Sequence, residues 1–217
     1  MKKAIVLLSG GIDSATTLFW AKNKGFRCYC LIFDYGQRHR KEINYAKKIA
    51  KAANCEYGLM KIRLPWKDSA LLDRRASVTN TKTFSAAGKI PSTYVPARNT
   101  IFLSIALSCA ESIKADIILI GANAVDFSGY PDCRTGYYNV FKKLARIGTK
   151  CGMEGRAVNI LPPLMHLNKV QIIKLAMKLK VPINLTWSCY KGGKSPCGKC
   201  ESCIIRNKGM KGAGLLK

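Results

Sequence analysis

The chain has 217 residues, 48% of them hydrophobic, so it can fill one sizeable core and is short for two domains. No apolar run approaches the roughly 20 residues needed to cross a bilayer, which excludes a membrane-spanning protein. Lys and Arg number 37 against 12 Asp and Glu, a net charge of +25 that favours anionic partners; yet the lysines are spread along the chain, as at Lys41, Lys47, Lys48 and Lys51, which suits solvated helix faces better than one nucleic-acid patch, so direct nucleic-acid binding is not expected.

The opening MKKAIVLL imitates a secretory leader, but its apolar run is shorter than an h-region of about 7 residues and meets a glycine turn instead of a cleavage site. Residues 4–8 read as a strand covered on both faces, and 13–24 as a helix stopped by Gly25. A second strand is expected at 27–35, then a helix at 41–54 with Ile43, Ala46, Ile49, Ala50 and Ala53 on one face, then a third strand at 57–64. From Lys67 to Ser92 no period is sustained, and the stretch reads as a mobile loop or an excursion over a site. A helix at 97–113 places Ile101, Phe102, Ile105 and Cys109 together, and 115–123 is a buried strand. An irregular stretch follows to 139, then a helix at 140–147, a fifth strand at 157–164, and a helix that Asn168 caps and Val181-Pro182 ends.

Strands alternating with helices predict an α/β fold: one doubly wound, mostly parallel five-stranded sheet, in a single domain over 1–217. Ligands of such sheets sit beyond the carboxyl ends of the strands, so a site is expected in the loops starting at Ser9, Asp34, Ala122 and Pro162.

The first of these loops breaks an aliphatic strand into Ser9-Gly10-Gly11 and turns helical. Backbone N–H groups and the positive end of a helix dipole there make an anion site, and the glycines admit a phosphate chain close to the backbone. The turn lacks the Lys-Ser/Thr ending of a Walker A loop and the third glycine of a dinucleotide fingerprint. It carries instead Ser9 and Ser14, whose hydroxyls can donate to phosphate, and Asp13, whose carboxylate can hold Mg²⁺. The competing account is a tight turn in which Asp13 or Ser14 only caps the helix.

Of ten cysteines, Cys28, Cys30, Cys55, Cys109, Cys133 and Cys151 are scattered, whereas Cys189, Cys197, Cys200 and Cys203 crowd into a segment spanning 186–206. That split suits a reducing cytoplasm, with buried thiols in one set and ligands in the other. Two overlapping C-x-x-C steps and a more distant fourth thiol can close a tetrahedron around one structural Zn²⁺ with no open position. Disulfides conflict with the cytoplasmic reading; an iron–sulfur cluster stays open.

SGGIDS between a first strand and a helix resembles the pyrophosphate-binding loop of the ATP pyrophosphatase (PP-loop) superfamily, whose fold is adenine nucleotide alpha hydrolase-like. Together with FDYGQRHRKE, YVPARNTIFLSIA, GANAVDFSGYPDCR and TWSCYKGGKSPCGKCESC, it makes the chain resemble the 7-cyano-7-deazaguanine synthase family over nearly its full length. The resemblance implies an ATP-dependent ligase: a 7-carboxy-7-deazaguanine carboxylate is activated, captured by ammonia as an amide, activated again and dehydrated to the nitrile, in queuosine and archaeosine precursor synthesis. ATP binding then falls on Leu8, Ser9, Gly10, Gly11, Ile12, Asp13, Ser14, Ala15, Thr16, Thr17 and Leu18, with Asp13, Ser14 and Arg98 as the catalytic set, zinc on the four tail cysteines, and a cytoplasmic homodimer as the expected assembly.

For the deazaguanine, Asp126, Ser128, Tyr130 and Asp132 stand near a strand end, where a carboxylate could meet the guanine-like N–H edge and an aromatic could stack on the ring; a merely well-ordered loop is the alternative. Arg98 and Asn99 open a helix where they could bind phosphate or the substrate carboxylate, or Arg98 could be a surface charge. His39 and His166 suit a general base but have no partner visible in the sequence, and Cys133 suits a nucleophile that the implied chemistry does not need. Two rivals remain: a PP-loop enzyme that thiolates tRNA or forms lysidine, and a zinc-ribbon adaptor that binds RNA without ATP turnover.

Overall fold

The apolar runs form the strands of one sheet in the computed structural model, which describes residues 1–73, 75, 90–125 and 129–216. Strand β1 (Lys3–Leu7) leads to α1 (Ile12–Asn23), β2 (Arg27–Asp34), α2 (Lys41–Ala52) and β3 (Glu56–Lys61); α3 (Arg98–Ser112), β4 (Ile117–Ile120), α4 (Thr135–Ile147), the short α5 (Lys150–Met153) and β5 (Asn159–Leu161) follow, then α6 (Lys169–Lys178) and α7 (Glu201–Gly212). The strand order is β3-β2-β1-β4-β5 and every pairing is parallel.

Strand periodicity divides the core in two. Ile5, Leu7, Leu31, Phe33, Ile118, Ile120 and Ile160 pack on one face with α3 and α4; Ala4, Val6, Leu8, Cys30, Ile32, Ile117 and Leu119 pack on the other with α1, α2 and α6. This two-sided burial is why the strands read as unbroken apolar runs and not as alternating ones. Each fully buried Ile or Leu in these layers contributes about 1.5–3 kcal/mol.

The expected strands are all present; β1 is shifted by one residue at its expected length, and the other four are shorter. The first turn of α4 begins at Thr135, five residues before the expected start, because Tyr138 and Phe141 are buried in the core and the Tyr138 hydroxyl donates to the Asp132 carbonyl at 3.2 Å. That tertiary burial overrides the poor helix propensity of Gly136. Helix α7 lies where the sequence shows only cysteine spacing. Its glycines are the close-approach points: a Cβ on Gly209 would stand 2.4 Å from Lys169 Cγ, and one on Gly212 2.6 Å from a Val170 methyl, both on α6. Of the expected excursion at 67–92, the described part includes Ala70 and Leu71, which are buried; the remainder lies outside the described residues.

Two further glycines let α1 start where it does. Gly10 has φ +86°, and a Cβ there would stand 2.4 Å from the Glu42 carbonyl oxygen of α2; a Cβ on Gly121, just past β4, would stand 2.8 Å from Asp13 and Ser14 backbone atoms. Gly10→Ala combines left-handed strain with a backbone clash, so urea denaturation should show a loss of about 2–4 kcal/mol. A loss below about 1 kcal/mol would mean that the turn is free to shift, contrary to the packing described.

Candidate functional site

Chain segments from both halves of the sheet meet at its carboxyl edge, around a cavity of about 240 Å³. The turn after β1 forms its floor. Ser9 N donates to Ser14 Oγ at 3.2 Å, Ser14 Oγ donates to the Gly11 carbonyl at 3.1 Å, and Gly11 N donates to Ser9 Oγ at 3.3 Å. The N-cap of α1 is Gly11, with no side-chain cap, so Asp13 and Ser14 sit within the first turn and the helix N-terminus faces the cavity without a capping group. The capping account of Asp13 and Ser14 does not hold. Such a terminus offers unpaired N–H groups and a partial positive charge to an anion.

Charge is arranged around that floor. Lys169 Nζ lies 2.7 Å from both oxygens of Asp13, and Asn123 Nδ2 is 3.4 Å from Oδ2. Arg98, the first residue of α3, donates to the Tyr35 hydroxyl at 3.2 Å, and its guanidinium stands over the Tyr35 ring. Burial pushes the Tyr35 phenol up to about 12, so this partner stays neutral and leaves the cation unbalanced for an anionic ligand. On the opposite wall Arg206 of α7 donates to Thr186 Oγ1 at 2.7 Å and Ser188 Oγ at 3.2 Å. Phe33 and Phe102 stack at 4.0 Å between centroids and give the cavity an apolar side suited to a flat ring.

The tail closes the site. Cys189, Cys197, Cys200 and Cys203 hold their sulfurs within 4.8 Å of one another, and Cys189, Cys200 and Cys203 are buried. Four thiolates so placed fit one tetrahedral metal ion at about 2.3 Å from each sulfur. Cys197 N donates to Cys189 Sγ at 3.4 Å and Cys200 N to Cys197 Sγ at 3.3 Å, which fixes the sulfurs relative to one another. A hydrogen bond from Cys203 holds the Cys200 thiol down at about 5. The same segment reaches the anion turn directly: Trp187 N donates to the Gly10 carbonyl at 2.8 Å.

The family model "Queuosine biosynthesis protein QueC" matches residues 3–214. The chain belongs to the QueC family. Relatives in this family named 7-cyano-7-deazaguanine synthase include one from Thermoplasma volcanium, 48% identical over 99% of this chain and 88% of its own length. Another, from Acetivibrio thermocellus, is 48% identical over 100% of this chain and 96% of its own. A 4-thiouridine synthetase solved with RNA and bound ATP superposes with a TM-score of 0.52 at 16% identity, covering 98% of this chain and 50% of that one, a likeness of fold alone.

In this QueC-family chain, Leu8, Ser9, Gly11, Ile12, Asp13 and Ser14 line the cavity, as do Arg98 and Tyr130. Gly10 supports the turn from beneath, and Ala15, Thr16, Thr17 and Leu18 are buried in α1, with Thr16 and Thr17 hydroxyls donating to the carbonyls of Ile12 and Asp13. Asp132 is 6% exposed and is not a cavity residue: its Oδ2 accepts from Asn99 N at 3.2 Å and so caps α3, while burial raises its pKa. Asp126 and Ser128 lie outside the described residues. Burial and the neighbouring Asp132 push the Cys133 thiol up to about 12, which leaves it a poor nucleophile at neutral pH. Sequence reasoning missed Lys169, Trp187, Tyr190 and Arg206; only the basic residue directly after the Asn168 cap carried any signal for Lys169.

The Asp13–Lys169 pair is largely shielded from solvent, so removing one partner strands the other. Lys169→Met should cost about 2–3 kcal/mol in urea denaturation of the wild-type background and much less in an Asp13→Asn background. Equal costs in both backgrounds would show that the two groups are not coupled.

Proposed function

We propose that the chain is an ATP-dependent ligase that converts 7-carboxy-7-deazaguanine and ammonia to 7-cyano-7-deazaguanine. The observation that carries this reading is 48% identity, end to end, with proteins named for that product. The geometry supplies reasons for it. A carboxylate is a poor electrophile because its oxygen does not leave; transfer of AMP or phosphate from ATP makes it a leaving group. The α1 N-terminus with Ser9 and Ser14 holds the phosphates, and Lys169 and Arg206, which line the same cavity, add positive charge to meet them. Arg98 can take the substrate carboxylate by paired N–H donation, and Phe102 and Tyr130 offer the heterocycle its apolar and aromatic walls. Activation of the amide oxygen in the same place then lets it leave as the nitrile forms.

We assign zinc to the four tail cysteines, where its chemistry is structural: it holds the segment that donates from Trp187 to the turn. Magnesium accompanies ATP, with Asp13 the carboxylate able to hold it in exchange for Lys169. The reading extends to a cytoplasmic enzyme with small-molecule substrates and no nucleic-acid partner. It also extends to a homodimer, for which Val140, Leu144 and Ile147 offer an exposed apolar stripe on α4.

Incubation of the protein with Mg-ATP, ammonium and 7-carboxy-7-deazaguanine should yield the nitrile by mass spectrometry, with ATP consumed only when that acid is present. ATP consumption with tRNA and not with the acid would instead identify a tRNA-modifying enzyme. Asp13→Ala should abolish turnover with metal still bound, whereas Cys200→Ser should lose metal and lower the melting temperature; elemental analysis beside the activity assay would expose the reverse pattern.

A further inference from the structure

The turn between β2 and α2 carries a group that neither the phosphate site nor the metal site uses. His39 is 3% exposed and lines the cavity. Its Nε2 lies 3.1 Å from Glu42 Oε2, and Gln37 Nε2 donates to the other oxygen, Oε1, at 3.1 Å. Gln37 is itself fixed, since its amide donates to the Phe33 carbonyl at 3.1 Å and accepts from Tyr35 N at 2.9 Å. A carboxylate can only accept, so Nε2 carries the hydrogen and Nδ1 of the neutral ring is a lone-pair acceptor. That Nδ1 is buried with no hydrogen-bond partner among the described residues. An open acceptor on a residue that lines the cavity can be completed by a donor from a bound ligand. Tyr190 packs beside the ring with centroids 5.5 Å apart, and Gly192, at φ +66°, leaves room for the His39 backbone, since a Cβ there would stand 3.2 Å from His39 Cα.

We infer that His39 is the base that takes protons from the substrate nitrogen in both halves of the reaction. The inference rests on the proposed function, whose two halves share one demand. In the first, the ammonia lone pair forms the C–N bond at the activated carboxyl carbon, and the added nitrogen is positively charged. One of its protons passes to His39 Nδ1, the C–O bond to the phosphoryl group breaks with its electron pair, and the amide remains. In the second, activation of the amide oxygen by ATP leaves an imidate. After one N–H proton is lost to water, the other passes to Nδ1 as the C–O bond breaks, and the triple bond forms. The imidazolium made each time faces the Glu42 carboxylate, which Gln37 holds in place, and it returns its proton to water between steps.

The other titratable groups around the cavity are less suited. Asp13 is engaged by Lys169, burial keeps the Cys133 thiol protonated, and burial likewise raises the phenols of Tyr35, Tyr130 and Tyr190. Glu42 already accepts from two donors.

The test is His39→Gln, whose side-chain amide can still donate to Glu42 while Nδ1 disappears. Three products are measured with Mg-ATP: nitrile from the acid plus ammonium, nitrile from the 7-amido compound, and hydroxamate from the acid plus hydroxylamine. Hydroxylamine is uncharged at neutral pH, and once added its nitrogen gives up its proton to water readily, so the hydroxamate reports activation without the base. Both nitrile-forming rates should fall about a hundred- to ten-thousand-fold while hydroxamate formation changes little. Glu42→Gln should lower both nitrile rates in the same direction by a smaller factor, and it decides the matter if His39→Gln does not fold, as judged by metal content and melting temperature. Nitrile formation from either substrate at the wild-type rate, or hydroxamate falling in step with nitrile, would overturn the role given to His39. Wild-type protein that makes neither hydroxamate nor nitrile would overturn the proposed reaction itself.

Discussion

Beside β1 the sheet grows in two directions, with β2 on one side and β4 on the other, and the crossovers that follow lie on opposite faces. Where they part, a crevice opens at the carboxyl ends of the two strands. The rest of the molecule is arranged around this gap. Gly10 and Gly121 let α1 begin directly above it, with no side-chain cap at its N-cap residue Gly11. Helix α3 brings Arg98 and Phe102 to one wall; α6 and α7, closely packed through Gly209, bring Lys169 and Arg206 to the other.

A crevice filled with charge is costly unless each charge has company. Asp13 has Lys169, Glu42 has Gln37 and His39, and Arg206 has two hydroxyls and a carbonyl. Among the described residues Arg98 donates to a neutral phenol and to no carboxylate, and the α1 N-cap has no side-chain cap, so the positive side of the balance is left for a ligand to complete. A polyphosphate and a carboxylate on a flat ring answer both deficits. The four-cysteine segment contributes by position: through Trp187 it is tied to Gly10, and Lys41 reaches over the Trp187 ring to the Gly193 and Lys194 carbonyls, so order in the tail is order in the turn.

The elements legible in the sequence were those whose signal is local. Five apolar runs marked the strands, Asn168 marked the start of α6 through a complete capping box with Gln171, and the cysteine spacing marked the cluster. The site was legible where one peptide stretch builds it, from Leu8 to Ser14, and at Arg98. It was not legible where distant segments meet. Lys169 acquires its meaning only from Asp13, 156 positions away, and Asp132, which reads as a substrate contact, is drawn instead beneath Asn99 of α3. His39 shows the same limit at short range: Glu42 stands three residues on, but the strand-end turn that joins them is set by Gln37 bonding back to β2. Helix α7 was hidden because its glycines depress helix propensity, while their purpose is contact with α6.

The central claim is that the substrate carboxylate is activated by phosphoryl or adenylyl transfer from ATP held at the Ser9–Ser14 turn. The most direct measurement follows oxygen: 7-carboxy-7-deazaguanine labelled with ¹⁸O in its carboxylate is turned over with Mg-ATP and ammonium, and the products are weighed by mass spectrometry. The account predicts ¹⁸O in the AMP or inorganic phosphate released, and none left in the nitrile. Label recovered in water, with AMP and phosphate unlabelled, would contradict it.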